Sequence, residues 1–113
     1  MTAASSTRAQ AIAQRNDTFR TTFQGGRVVI TAGVDALPEA VRGEALKRVR
    51  TFADFGPDND PHGEHDFGAF ECGGQRFFFK IDYYDRSMDC GSPDPTDPIQ
   101  TTRVLTIMLE QEH

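Results

Sequence analysis

The sequence predicts a single α+β domain with element order α-β-α-β-β-β. Three observations carry that reading. Two stretches repeat apolar residues at helical spacing. β-branched and aromatic runs mark a strand between them and three more after them. Prolines and glycines gather in two long loops in the second half. The expected architecture is a three- or four-stranded, mainly antiparallel sheet with two helices packed on one face. The 113 residues leave room for one domain. Residues 1–6 are small and polar and are expected to form a disordered N-terminus, with 7–113 as the folded domain.

The first helix is expected from Thr7 to Thr22, with Thr7 as its N-cap. Ala9, Ile12, Ala13, Phe19 and Phe23 fall close to one face, and Arg8, Arg15 and Arg20 fall elsewhere. Gln24-Gly25-Gly26 ends the pattern. Arg27 to Val34 reads as the first strand, closed by Gly33 and Asp35. A second helix is expected from Pro38 to Ala53. Pro38 suits a first turn, and Glu39 suits the positive end of the dipole. Val41, Ala45, Leu46, Val49 and Phe52 make its apolar stripe. Arg42, Lys47, Arg48 and Arg50 lie on or beside the other face.

Residues 55–66 carry two prolines, two glycines and a run of acids, which reads as a loop. Phe67 to Cys72 and Gln75 to Tyr84 read as a hairpin around the turn Gly73-Gly74. In its second strand Phe77, Phe79, Ile81 and Tyr83 share the core face. Phe78, Lys80, Asp82 and Tyr84 share a more amphipathic one. Residues 85–100 form a second acidic loop with Pro93, Pro95 and Pro98. Thr101 to Glu110 is the last strand. Its two faces are both mostly apolar, which predicts a central position in the sheet.

The net charge of −5 is unevenly spread. Residues 1–50 carry a net of +4 and residues 54–97 a net of −8. Phosphate backbones are repelled by such an acidic half, so nucleic acid is not expected there. A protein partner with a basic surface, or a cation, fits it better. No apolar run is long enough to span a membrane, and the N-terminus lacks the apolar core of a secretory signal. Cytoplasm is therefore the expected location. Cys72 and Cys90 form no C-x-x-C pair and are expected to be free thiols.

The expected binding surface comprises Asp58, Asp60, His62, Glu64, His65, Asp66, Lys80, Asp82, Tyr84 and Asp85. An alternative makes the same region a metal-dependent hydrolase or nuclease with His62, His65, Asp66, Asp82 and Asp85 as its catalytic set. His62, His65 and Asp66 would then hold the metal, since imidazole and carboxylate suit zinc, manganese or iron. The spacing argues against it, because His62 and His65 are three apart in a loop rather than i, i+4 on a helix. Capping of turns by Glu64, His65 and Asp66 is the simpler account. No cofactor is assigned. No serine lies in a nucleophile elbow, and Cys72 has no helix N-terminus to activate it. The aromatic hairpin could stack bases, but core packing explains most of its rings. DNA binding through the basic helices is a further alternative.

Asn16-Asp17-Thr-Phe-Arg20, Val28 to Val34, Asp60-Pro-His-Gly-Glu-His-Asp-Phe-Gly68 and Lys80-Ile-Asp-Tyr-Tyr-Asp85 together resemble the domain of unknown function 3768. The resemblance spans about residues 7–113. It implies a small bacterial protein of a kind often found on plasmids and other mobile elements. It brings no activity with it. It implies that the loop before the hairpin and the hairpin's second strand form the characteristic surface. The setting suggests an anti-defence or plasmid-maintenance role.

Overall fold

The computed structural model describes residues 3–113. The elements are α1 (Ala3–Thr22), β1 (Gly26–Ile30), α2 (Ala32–Asp35), α3 (Glu39–Thr51), β2 (Phe67–Cys72), β3 (Gln75–Tyr84), β4 (Thr102–Leu109) and a closing 3-10 turn, Glu110–Glu112. The sheet order is β1-β4-β3-β2. β2, β3 and β4 form the expected antiparallel meander, and β1 joins β4 in parallel. A parallel pair needs a crossover, and the chain from β1 to β4 supplies it through α3 and the hairpin. β4 is central, as its two apolar faces require.

Several boundaries differ from expectation: β1 begins at Gly26, α3 ends at Thr51 rather than Ala53, β4 spans Thr102–Leu109, and three others change the local structure. α1 begins at Ala3, so Thr7 lies inside the helix and does not cap it. Met1 and Thr2, part of the stretch expected to be disordered, lie outside the described residues. β1 stops at Ile30 instead of Val34, because Thr31 turns the chain into α2. The Thr31 hydroxyl accepts from the Val34 amide at 3.4 Å, and Val34 becomes fully buried. The C-terminal turn secures this corner. The Glu112 carboxylate accepts from the Thr31 hydroxyl at 2.6 Å, the Gly33 amide at 2.9 Å and the Leu109 amide at 2.8 Å. Pro38 sits at the N-cap of α3 rather than in its first turn.

The core lies between the sheet and the two long helices. Phe77, Phe79, Leu105 and Ile107 are completely buried there, beside Val49 and Ala45 of α3 and Phe19 of α1. Each large side chain so buried contributes about 1.5–3 kcal/mol. Gly68 is required by this packing, since a Cβ would strike the Phe79 ring and Phe52. The hairpin turn uses Gly73 and Gly74 at φ 58° and 79°, a left-handed pair that glycine adopts without cost. Cys72 is buried and Cys90 exposed, and both are free thiols. No helix of the described residues is long and apolar enough to cross a membrane.

Candidate functional site

The chemistry of the molecule concentrates where α1 meets the two loops. Asn16 and Arg20 lie one helical turn apart, on the stripe shared with Ile12, Phe19 and Phe23. Both are buried, at 0% and 2% exposure. A polar group carried into the interior must find partners there. Asn16 does so in full, and Arg20 does through both Nη atoms while its Nε is buried without a hydrogen-bond partner.

Asn16 is the hub. Its amide nitrogen donates to the Glu64 carbonyl at 2.9 Å and to the Tyr83 hydroxyl at 2.8 Å. Its amide oxygen accepts from Arg103 Nε at 2.8 Å. Tyr83 in turn donates to the Glu64 carboxylate at 2.9 Å. Arg103 reaches on to the Pro95 carbonyl and lies over the Tyr83 ring. Asn16 and Arg103 together therefore tie the 52–66 loop to the 85–101 loop across the end of the sheet. Burial, reinforced by the charges of Asp66 and Glu64, raises the Tyr83 pKa and keeps the hydroxyl a neutral donor. Burial lowers that of Arg103.

Arg20 closes the helix pair. Its Nη1 donates to the carbonyls of Val49 and Phe52 at 2.9 and 2.8 Å, satisfying the C-terminal end of α3. Its Nη2 pairs with Asp17 at 2.9 Å. The guanidinium lies over the rings of Phe55 and Phe79.

Asp17 also faces His65. Both of its oxygens lie 3.0–3.1 Å from His65 Nδ1. The His65 ring stacks on Phe55 with centroids 4.1 Å apart and 2° between planes. Its backbone amide donates to Asp60 Oδ1 at 3.1 Å, and its Nε2 lies 3.7 Å from Asp60 Oδ2. His65 holds φ +56°, a left-handed backbone that costs a side-chain-bearing residue about 1 kcal/mol or more. The four contacts on ring and amide over-determine that geometry. His65 forms a wall shared by two open clefts of about 510 and 650 Å³ between α1 and the loop, with Gln10 and Gly63 common to both.

The expected surface divides in two. Asp60, Glu64 and His65 point into the network just described. Asp66 lies half-buried beside it, and burial together with Glu64 raises its pKa. Asp58 and His62 are exposed on the same loop. Lys80, Asp82 and Tyr84 lie on the opposite face of β3, where Lys80 pairs with Asp82 at 3.2 Å. Asp85 is occupied by its own turn, accepting from the Ser87 hydroxyl at 2.9 Å and the Asp89 amide at 3.1 Å. Those bonds, the Ser87 one first, lower its pKa. Among the described residues, no group of three or more His, Cys, Asp or Glu side chains could hold a metal ion. Asp17, Asn16, Arg20, Tyr83 and Arg103 complete the site. Asn16 could have been found by its helical spacing from Ile12, Phe19 and Phe23. Arg20, expected off the apolar face, is instead carried into the interior beside them and is 2% exposed.

The family of proteins of unknown function DUF3768 matches residues 30–112. Comparison with curated proteins and with solved structures finds no match. The match covers well over half of the chain, and the protein belongs to the DUF3768 family.

Proposed function

We propose that this is a non-enzymatic binding protein whose acidic loops dock on a basic surface of a protein partner. The supporting observation is the Asn16 hub, which bonds the first loop at Glu64 and, through Arg103, the second at Pro95. Residues 54–66 carry five acids and no Lys or Arg, and residues 85–101 carry four acids and one Arg. Joined, they form an acidic pole. Arginines of α1 offset it in part, with Arg8 3.6 Å from Asp94. Lowered pKa values at Asp85, Asp94 and Asp97, each led by a side-chain bond within its own turn, keep these carboxylates ionised.

A fixed acidic pole imitates the charge of a phosphate backbone. The natural partner is then a basic surface of the sort that grips nucleic acid, and blocking such a surface is an anti-defence or plasmid-accessory role in the cytoplasm. Catalysis has less support, since His65 is committed to Asp17 and Asp82 lies across the sheet. DNA binding through α3 has less support too. Arg48 and Arg50 of that helix donate to the carbonyls of Glu71 and Thr21.

The test starts from a partner co-purified from the native host, titrated calorimetrically. Affinity should fall as salt rises past about 0.15 M. The double substitution Asp54→Lys with Asp58→Lys should weaken binding by about tenfold or more, both side chains being exposed. A partner indifferent to salt and to both reversals would remove the basis for this reading.

A further inference from the structure

The two edges of the sheet are finished differently. At the β2 edge, Arg48 Nη1 donates to the Glu71 carbonyl at 3.1 Å and its guanidinium lies over Phe70. Past the start of β2, the Ser92 amide donates to the Tyr83 carbonyl at 3.0 Å and Gly91 bridges Tyr84. That edge is engaged at Glu71 and beyond the start of β2, while among the described residues no hydrogen bond engages the outward groups of Phe67 and Ala69.

The β1 edge is open. Ile30 pairs with Ile107, and the Thr31 amide donates to the Ile107 carbonyl at 3.1 Å. Main-chain groups alternate along a strand, so Arg27, Val29 and Thr31 turn theirs toward β4. Gly26, Val28 and Ile30 turn theirs outward. Among the described residues, no hydrogen bond engages the outward amides and carbonyls of Val28 and Ile30. The strand is β-branched, has no proline and carries one charge, and its Val29 is 45% exposed. An uncovered edge of this composition is a template for strand addition.

We infer that β1 pairs with β1 of a second copy of this chain, antiparallel about a two-fold axis at Val28. The register is self-complementary. Val28 faces Val28 and Gly26 faces Ile30, so outward amides and carbonyls meet as hydrogen-bonded pairs. The small Gly26 sits opposite the bulky Ile30. Arg27 faces Val29 in the closely spaced non-bonded pair, so the two cations never oppose each other. A two-fold at Arg27 or Val29 would instead present groups already bonded to β4, and at Arg27 it would stack like charges. The interface is isologous and joins two four-stranded sheets into one of eight. Five residues a side make a small contact, so the dimer is weak and concentration-dependent.

Sedimentation equilibrium on the full chain tests this. From about 10 μM to about 1 mM, the mass should climb from 12.5 kDa toward twice that value. Val29→Lys places a second cation opposite Arg27 of the partner subunit and should weaken association about tenfold or more. Adding Arg27→Glu to it should restore the dimer by opposing the signs. Val28→Pro deletes an outward amide without touching the β4 ladder and should abolish pairing. Val29→Lys alters only an exposed outer-face position, so it decides the matter even where Val28→Pro fails to fold. A mass of 12.5 kDa throughout, or a dimer unmoved by Val29→Lys, would overturn the inference.

Discussion

The 52–66 and 85–101 loops share a composition and differ in what their acids do. In the first, Asp60 holds the His65 amide, Glu64 accepts from Tyr83, and Asp66 is half-buried. Glu64 and Asp66 reach into the body of the protein, Asp60 is buried within the loop itself, and Asp54 and Asp58 stay exposed. In the second, Asp85 bonds Ser87, Asp94 bonds Thr96, and Asp97 bonds the Ile99 amide and the Gln100 side chain. Its carboxylates close their own turns, in the manner typical of Asp in loops. A tally of prolines and acids does not separate a loop built into the fold from one that folds on itself. The Glu64 bond to Tyr83 of β3, 19 residues on, does.

The comparison predicts a ranking of substitutions. Asn16→Ala has the largest effect. It removes one partner each from the Glu64 carbonyl, the Tyr83 hydroxyl and the buried Arg103 Nε, and should cost about 3 kcal/mol in urea unfolding. Replacing His65 with Ala should cost about 1–2 kcal/mol through the lost Phe55 stack and Asp17 contact. His65→Gly should lie about 1 kcal/mol above His65→Ala, because glycine relieves the left-handed backbone. A small gap between those two variants would show that the strain is relaxed some other way.

The smallest effects are in pH dependence, and the two loops differ in sign. Asp85, Asp94 and Asp97 have pKa values below the ordinary 3.8. Their contribution is present above that value and is lost as pH falls through the lowered ones. Asp66 is raised above 3.8. Its contribution is complete below 3.8 and is lost as pH rises through the raised value. Wild type should therefore gain on Asp66→Asn as pH falls from 7 toward 4, whereas Asp97→Asn should stay level with wild type relative to its neutral value until pH drops below 3.8. Urea midpoints across that range check both, and parallel curves would erase the distinction between the loops.

Much of the architecture was legible because its causes are local. Period-two alternation in 75–84 and the Gly73-Gly74 turn specify a hairpin within a few residues. The apolar stripe of α3 does the same for a helix. The end of β1 was not legible. Thr31 to Val34 reads as strand by propensity, but Glu112, 81 residues beyond Thr31, holds the corner as a helix. The site was half legible. His62 to Asp66 stood out by residue type. Asn16, whose partners lie 48, 67 and 87 residues away, entered only as the first residue of the family-like segment Asn16–Arg20. Asp82 and Asp85 come 16 and 19 residues after Asp66, past the hairpin turn, and strand alternation sets Asp82 on the opposite face of β3.

Amide hydrogen exchange on Asn16→Ala tests the central claim, that Asn16, through Arg103, joins the two loops into one pole. Protection in 60–66 and in 93–101 should fall together, while the Asp85 turn, residues 85–90, keeps its wild-type rates. Loss of protection in only one of the two loops would contradict the account, and with it the acidic pole on which the proposed function rests.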